Sequence, residues 1–438
     1  MTTLGGRGAG FDRRTFLVGA AGLLASACSG GGGSSDPAAT SKGPNIVRPD
    51  AGTVVTPDDT AALAQQLNAA LEARDVDALV KVIDPEDFAL ADVRKRWTRR
   101  FDNFQRVPVT GEWYVGVPAG RTRNAAGGKV EYSGNLVFAH QIDGCDGQQV
   151  VETYRADFRK ASEDAPLELL HVGEPEESYD PSFWDVAEID VIETPHAYVA
   201  FRTKDAKTAK SHAARIEAGA KRAFAVMPDP RGVDKIFYAL TWPQIDGRLY
   251  GGVAVGDADA HAYYHPFVDP AELAKGQKTA ASGKGLPKAT GRAGLHQASL
   301  SRADFVEVAA HEGVHVLANQ WYGGSGTPTW AVEGLATWGE AGAGALMSRD
   351  GGRIRSYFRS FEPRALKDYA EFHDGGREYE MYACSAAVYA YLEDQGGKDA
   401  VFEVAEAFYG SEGREAGAKA LGRSEKDLFA ATRTWLGA

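Results

Sequence analysis

His311-Glu312-Gly313-Val314-His315, followed by Trp330-Ala331-Val332-Glu333-Gly334-Leu335-Ala336, decides how this chain reads. Around the first stretch, Phe305, Val308, Val314 and Leu317 recur at helical spacing, which predicts a helix over 304–319 with an apolar side. His311 and His315 are four residues apart, so they stand one turn apart on one face, where two imidazoles can share one metal ion. Glu312 lies to the side of the same turn, within reach of a water on that ion. Glu333 follows His315 by 18 residues, enough for a loop and a second helix. Trp321-Tyr322-Gly323-Gly324-Ser325-Gly326 supplies the loop, and Thr327-Pro328 reads as an N-cap with proline in the first turn. A lone carboxylate on the second, apolar helix is costly unless it meets a cation. Two His and one Glu give three ligands and leave a fourth tetrahedral position open, the donor set of an accessible zinc site. The competing reading is a surface helix with two solvated histidines.

The surroundings extend the pattern. Residues 186–201 read as a strand pair or one long strand, and Asp205 as the cap of a helix reaching about Val226, with Ala213, Ile216, Ala220 and Phe224 turned inward. Three further strands are expected at 235–242, 248–255 and 261–267. Residues 275–294, rich in Gly, Lys and Ala, read as a mobile loop, and everything from Ser301 onward as helical. A small sheet and its helix before HExxH, then a helical remainder, resembles the gluzincin zinc metallopeptidases, of which thermolysin is a familiar member. Within that class the chain resembles the bacterial peptidase MA-like family. The resemblance spans roughly 183–435 and rests on His311-Glu312-x-x-His315, Trp330-x-x-Glu333-Gly334-x-Ala336 and a later Tyr382-x-x-Ser385 with Tyr391-Leu392 behind it.

That resemblance implies zinc-dependent hydrolysis of a peptide or protein substrate, with Zn2+ on His311, His315 and Glu333. It implies Glu312 as general base and Tyr382 as donor to the oxyanion, with Tyr379 a local rival. It also implies an edge strand that pairs with extended substrate, for which His261-Ala262-Tyr263-Tyr264-His265 is the candidate. An ordinary strand whose aromatics pack in the sheet is the alternative for that segment. One position departs from the family: many gluzincins carry an Asp four residues after the third ligand, and here Thr337 stands there. Glu340 and Glu307 are the other acceptors within a helical repeat of the site. This departure and the extra N-terminal domain leave a second reading, a catalytically weak or inactive binding or scaffold lipoprotein that keeps the fold.

Residues 1–27 read as an export signal. Asp12-Arg13-Arg14-Thr15-Phe16-Leu17 resembles a twin-arginine motif, which implies export in the folded state and suits a metalloprotein, since zinc could be loaded before export. Ala25-Ser26-Ala27-Cys28 resembles a lipobox, which implies a membrane anchor through lipid on Cys28 and a location on the outer face of the cytoplasmic membrane. The same residues satisfy an A-x-A cleavage rule, so a secreted form is the alternative. Residues 28–56 form a Gly/Ser-rich, then polar, linker.

Beyond the linker the fold class expected is α+β in two domains. In 57–175, helices at 57–74 and 76–83 precede strands at 112–117, 130–140, 149–159 and 167–172, with a hairpin turn at Asp143-Gly144-Cys145-Asp146-Gly147. This order resembles the cystatin-like cone of the nuclear transport factor-like superfamily. The gluzincin-like domain, a mixed sheet plus a helical subdomain, takes 183–438. Cys145 and Cys384 are expected as unpaired buried thiols, a disulfide being the alternative. The net charge of −12, from 48 basic and 60 acidic residues, argues against nucleic acid as a partner. His140, His171, His196, His212, His296 and His373 show no ligand spacing.

Overall fold

The computed structural model describes residues 54–83, 90–116, 122–124, 130–175, 182–228, 230, 232–242, 260–277, 287–321, 326–360, 377–410 and 413–438. The export signal, most of the linker, the expected strand at 248–255 and His373 lie outside them. The chain is α+β and divides into two compact units. Among the described residues, one comprises 54–188 together with 266–277; the other comprises 189–265 and 287–438.

The first unit opens with helices α1 (Pro57–Ala73), α2 (Val76–Ile83) and α3 (Leu90–Phe104). Thr56 and Asp59 close a capping box over α1, as the sequence Thr-Pro-Asp-Asp invites. Five strands follow: β1 (Val109–Gly116), β2 (Thr122–Asn124), β3 (Val130–Ile142), β4 (Val150–Lys160) and β5 (Leu167–Pro175). They pair antiparallel in the order β1-β3-β4-β5, with β2 on β3. The alternation of β4, Val150, Glu152, Tyr154, Ala156 and Phe158 inward, matches its burial. Helix α3 is absent from the sequence expectation because Arg94, Lys95, Arg96, Arg99 and Arg100 crowd it with charge. Trp97, Phe101 and Phe104 nevertheless form its buried stripe. Arg100 turns inward, gripping Asp185 through two nitrogens at 2.5 and 3.0 Å and Glu152 at 2.9 Å. Asp185 sits on the short helix α4 (Phe183–Val186).

The second unit is built on a five-stranded sheet: β6 (Ile189–Glu193), β7 (Ala197–Arg202), β8 (Ile236–Thr241), β9 (Ala260–Pro266) and β10 (Ala289–His296), in the order β6-β7-β8-β10-β9. β6 and β7 are antiparallel, while β7-β8 and β8-β10 are parallel. Helix α5 (Ala206–Val226) links β7 to β8. It buries Ala209, Ile216, Gly219, Ala220 and Ala223, whereas Ala213 and Phe224 are only half-buried. Asp205 stands at its N-cap without a capping bond, its carboxylate being taken by Arg202 and Gln297. A short helix α6 (Pro270–Ala274) belongs to the first unit. After β10 the longer elements among the described residues are helices: α7 (Phe305–Ala318), α8 (Thr329–Ala341), α9 (Ala343–Ser360), α10 (Glu378–Tyr409), α11 (Arg414–Leu421) and α12 (Glu425–Leu436).

Three sequence expectations are corrected here. The region 275–294 is not all loop, because β10 begins at Ala289 and lies between β8 and β9. The division between units falls after Glu188, so α4 stays with the first unit, which also takes back Pro266–Lys284. Thr327 is not the cap of α8: Pro328 occupies that position, and the Thr327 hydroxyl donates to the Phe408 carbonyl. Cys145 and Cys384 are free and buried.

Candidate metal centre

Helix α7 is buried almost all round, every residue from Val308 to Ala318, which removes the reading of a solvated surface helix. Such burial requires small residues where backbones meet. A Cβ on Gly313 would lie 2.7 Å from the Tyr238 hydroxyl and 2.8 Å from Ala223. In the space that glycine leaves, the Tyr238 hydroxyl donates to the Ala309 carbonyl at 2.7 Å, pinning α7 to β8. Helix α8 is fixed from the other side. Trp330 Nε1 donates to Glu425 at 2.6 Å, Trp338 Nε1 to Glu393 at 2.8 Å, and the Tyr389 hydroxyl to the Ala331 carbonyl at 2.9 Å.

Between these helices the three expected ligands converge. His311 Nε2 and His315 Nε2 are 3.1 Å apart, and Glu333 Oε2 is 3.4 and 3.5 Å from them. Ligands about 2.0–2.1 Å from a tetrahedral zinc stand about 3.3–3.4 Å from one another, so the triangle has the edge length such an ion demands. It is the one group of three or more His, Cys, Asp or Glu side chains among the described residues that could hold a metal ion. Neither Glu333 oxygen has a hydrogen-bond partner among the described residues, nor does Glu312 Oε2, and all are buried. A buried carboxylate without a donor is a strong reason for a cation at that place.

The sequence left the acceptor for the second nitrogen of His311 open among Thr337, Glu340 and Glu307; the structure selects Glu340. Its carboxylate lies 3.0 Å from His311 Nδ1 and is buried. That contact places the proton of a neutral imidazole on Nδ1 and turns the Nε2 lone pair toward Glu333 and His315. Glu340 comes seven residues, two turns, after Glu333, so both face the same way on α8. Thr337 Oγ1 is buried without a hydrogen-bond partner among the described residues, and Glu307 pairs with Arg222 at 3.2 Å instead.

The electrostatics follow from three carboxylates closed in with two imidazoles. Burial disfavours a charged His311, but Glu333 and Glu340 overcome it and push its pKa up to about 10. Burial, then the charges of Glu333 and Glu340, lift Glu312 to about 8 against the pull of His311. Burial also works against an ionised Glu333, yet His315 and His311 hold it down at about 2. His315, for which burial prevails, is lowered. A proton on His311 thus does part of what a metal cation would do there.

Tyr382, on α10, belongs to the same cluster. Its ring centroid is 6.0 Å from that of His311, and burial together with Glu333 and Glu312 raises its hydroxyl well above the ordinary tyrosine value. Tyr379, half-buried, faces α9: burial and Asp350 lift it to about 12, and the Arg353 guanidinium lies 5.9 Å from its ring. Gly334 sets the distance between α8 and α10, since a Cβ there would come within 2.7 Å of the Ser385 backbone. The segment 261–265 falls in β9, the last strand of its sheet among the described residues. No family model matches this chain, and no curated protein is found to be similar to it.

Proposed function

We propose that this protein is a zinc-dependent peptidase of the gluzincin kind, and that the triangle of His311 Nε2, His315 Nε2 and Glu333 Oε2, with edges of 3.1, 3.4 and 3.5 Å, is its metal site. The triangle carries the reading because its edges suit a tetrahedral ion and its donors match a site with an open position. Bound zinc would supply Lewis acidity, polarising the scissile carbonyl and making a water nucleophilic near neutral pH. Glu312, next to the first ligand, accepts the proton of that water and passes it to the leaving amine. The Tyr382 hydroxyl, kept protonated by its surroundings, donates to the developing oxyanion. Glu340 fixes the ring of His311. β9 would pair with an extended peptide and so tolerate many side chains.

The mismatch at Thr337, one of the two supports for an inactive scaffold, loses its weight with Glu340 as a charged acceptor 3.0 Å from His311 Nδ1. We further propose that the first unit is cystatin-like, and that Cys28 tethers the body outside the cytoplasmic membrane. Among the described residues, no helix is long and apolar enough to cross a membrane. The test is cleavage of a diverse peptide mixture by the zinc-loaded mature protein beside Glu312→Gln, read by mass spectrometry. Cuts present in the first and missing from the second are expected. No difference, with zinc bound in both, would overturn the reading.

A further inference from the structure

Glu340 stands at the end of α8, where Gly342 turns the chain. Gly342 has a φ of +75°, which glycine adopts without strain, and its N–H donates to the Trp338 carbonyl at 2.7 Å. α9 begins at the next residue, and this turn brings its Arg349 to Glu340. Three groups then converge on Glu340. Its Oε2 lies 3.0 Å from His311 Nδ1, its Oε1 lies 3.9 Å from Arg349 Nη2, and its backbone carbonyl accepts from Arg222 of α5 at 2.9 Å. The same Arg222 nitrogen donates to Glu307 at 3.2 Å, one turn before His311 on α7. Gly339 keeps the two helices close at this level, since a Cβ on it would lie 2.7 Å from the Val314 side chain. Arg222 thus fixes the Glu340 backbone against α7, and the direction of the carboxylate is left to what its two oxygens meet.

Arg349 can set that direction because it is itself held. Its Nε donates to the carboxylate of Asp350, a buried residue of α9, at 2.6 Å. The Tyr379 hydroxyl, one turn before Tyr382 on α10, donates to the same Asp350 side chain. A guanidinium is a rigid fork that faces two carboxylates at once, which the single nitrogen of a lysine does not do. At 3.9 Å the contact with Glu340 is electrostatic and longer than a hydrogen bond. We propose that Arg349 is a positioning residue for the metal centre, aiming the Glu340 carboxylate at His311 Nδ1 and so the His311 Nε2 lone pair at the metal. This rests on the reading of His311, His315 and Glu333 as a zinc site. Aim and charge act in opposite directions here. A guanidinium near Zn2+ repels it, so removing Arg349 as a charge alone would tighten zinc binding, whereas losing the aim of Glu340 weakens it.

The test is the zinc affinity of the full chain, by competition with a chromophoric chelator, in Arg349→Gln, Glu340→Gln and the double variant. Arg349→Gln is expected to weaken zinc about fivefold, less than the 10–100-fold typical of a direct partner of a ligating histidine. In the Glu340→Gln background the same substitution is expected to leave affinity unchanged or to raise it, because only the charge is then removed. Unchanged or tighter binding in Arg349→Gln alone would overturn the assignment, and so would losses that multiply in the double variant. Cobalt in place of zinc gives a second readout, since its visible bands report the geometry of the ligands. They are expected to shift in the same direction in Arg349→Gln and Glu340→Gln, and bands that Arg349→Gln leaves in place count against the assignment. Should Arg349→Gln not fold, Arg349→Lys, which keeps a charge beside Asp350 without facing both carboxylates, carries the same measurements. If the wild type binds zinc no tighter than Glu333→Ala, the metal site itself falls and takes the role of Arg349 with it. If the wild type binds more tightly than Glu333→Ala and Arg349→Gln matches it, Arg349 alone is removed.

Discussion

At the scale of single residues, the centre is defined by which oxygen faces which nitrogen. Glu340 accepts from His311 Nδ1 at 3.0 Å, while Thr337, at the position where the family usually has Asp, makes no hydrogen bond among the described residues. Removing a partner of a ligating histidine typically weakens metal binding by about 10–100-fold. Glu340→Gln is therefore expected to lower zinc affinity by about tenfold or more, and Thr337→Val to leave it nearly unchanged, in competition with a chromophoric chelator. Equal losses in both variants would mean that Glu340 does not orient His311. The same carboxylates dictate a pH dependence. In the metal-free protein His311 is raised to about 10, so the stability it contributes is complete below its unfolded value and disappears as pH climbs through 10. Glu312 is raised to about 8, and as an acid held protonated by the fold it also loses stability as pH rises from its unfolded value through 8. The two act in one direction, and above the unfolded histidine value the lowered His315 no longer opposes them, so the zinc-free protein should melt at progressively lower temperature between about pH 7 and pH 10. Zinc must displace the His311 proton, so its affinity should climb with pH over the same range, and calorimetry in buffers of different ionisation enthalpy should register the released proton.

At the scale of elements, glycines decide how closely the helices and strands approach. Gly334 directly follows Glu333, and any Cβ there meets the Ser385 backbone at 2.7 Å. Gly334→Ala should therefore separate α8 from α10, cost roughly 1–3 kcal/mol of stability and draw Glu333 away from the histidines. Thermal melting with and without zinc checks this: a lower melting temperature combined with a smaller zinc-induced rise is expected, and an unchanged zinc response would show that α8 yields without moving Glu333. Glycines of this kind also mark the limit of what the sequence reveals. Val/Ile/Leu/aromatic alternation made β3 and β4 legible nearly to the residue, and the apolar stripe around HExxH made α7 legible. β10, Ala-Thr-Gly-Arg-Ala-Gly-Leu-His, has the composition of a loop because its neighbours leave no room for larger side chains. A Cβ on Gly291 would meet Asn319 and Val316, and one on Gly294 would meet the His261 ring. Propensity describes a strand with ordinary side chains on both faces, and β10 lies against α7 and β9 too tightly to have them. The metal ligands were legible because their spacing is a property of one helix and one loop. Glu340 could not be singled out, because its role depends on the rotation of α8 against α7, a fact of packing. α3 stayed hidden for the opposite reason: its charges read as solvated, yet Arg100 is buried between Asp185 and Glu152.

At the scale of the whole molecule, sequence continuity and structural membership part company. A linear reading cuts the chain once, near residue 183, and assigns everything after it to one body. The structure instead gives the first unit both α4, whose Asp185 is held by Arg100, and α6, whose Leu273 and Ala274 complete the cluster around Val137. A fragment comprising residues 54–188 alone would therefore expose Val137 and lose the apolar contacts of Leu273, worth about 2 kcal/mol for one buried leucine. A loss of that size corresponds to a melting temperature lower by roughly 5 °C or more in a domain of this length. Residues 54–188 should thus melt below the same fragment carrying 266–277 as a C-terminal extension on a Gly/Ser linker, as followed by circular dichroism. The Asn135–Leu273 hydrogen bond adds a control within the experiment: the extension should raise the melting temperature less in an Asn135→Ala background, because part of its attachment is gone. If the extension gives no gain in either background, α6 packs on the sheet without stabilising it, and the first unit is complete at Glu188.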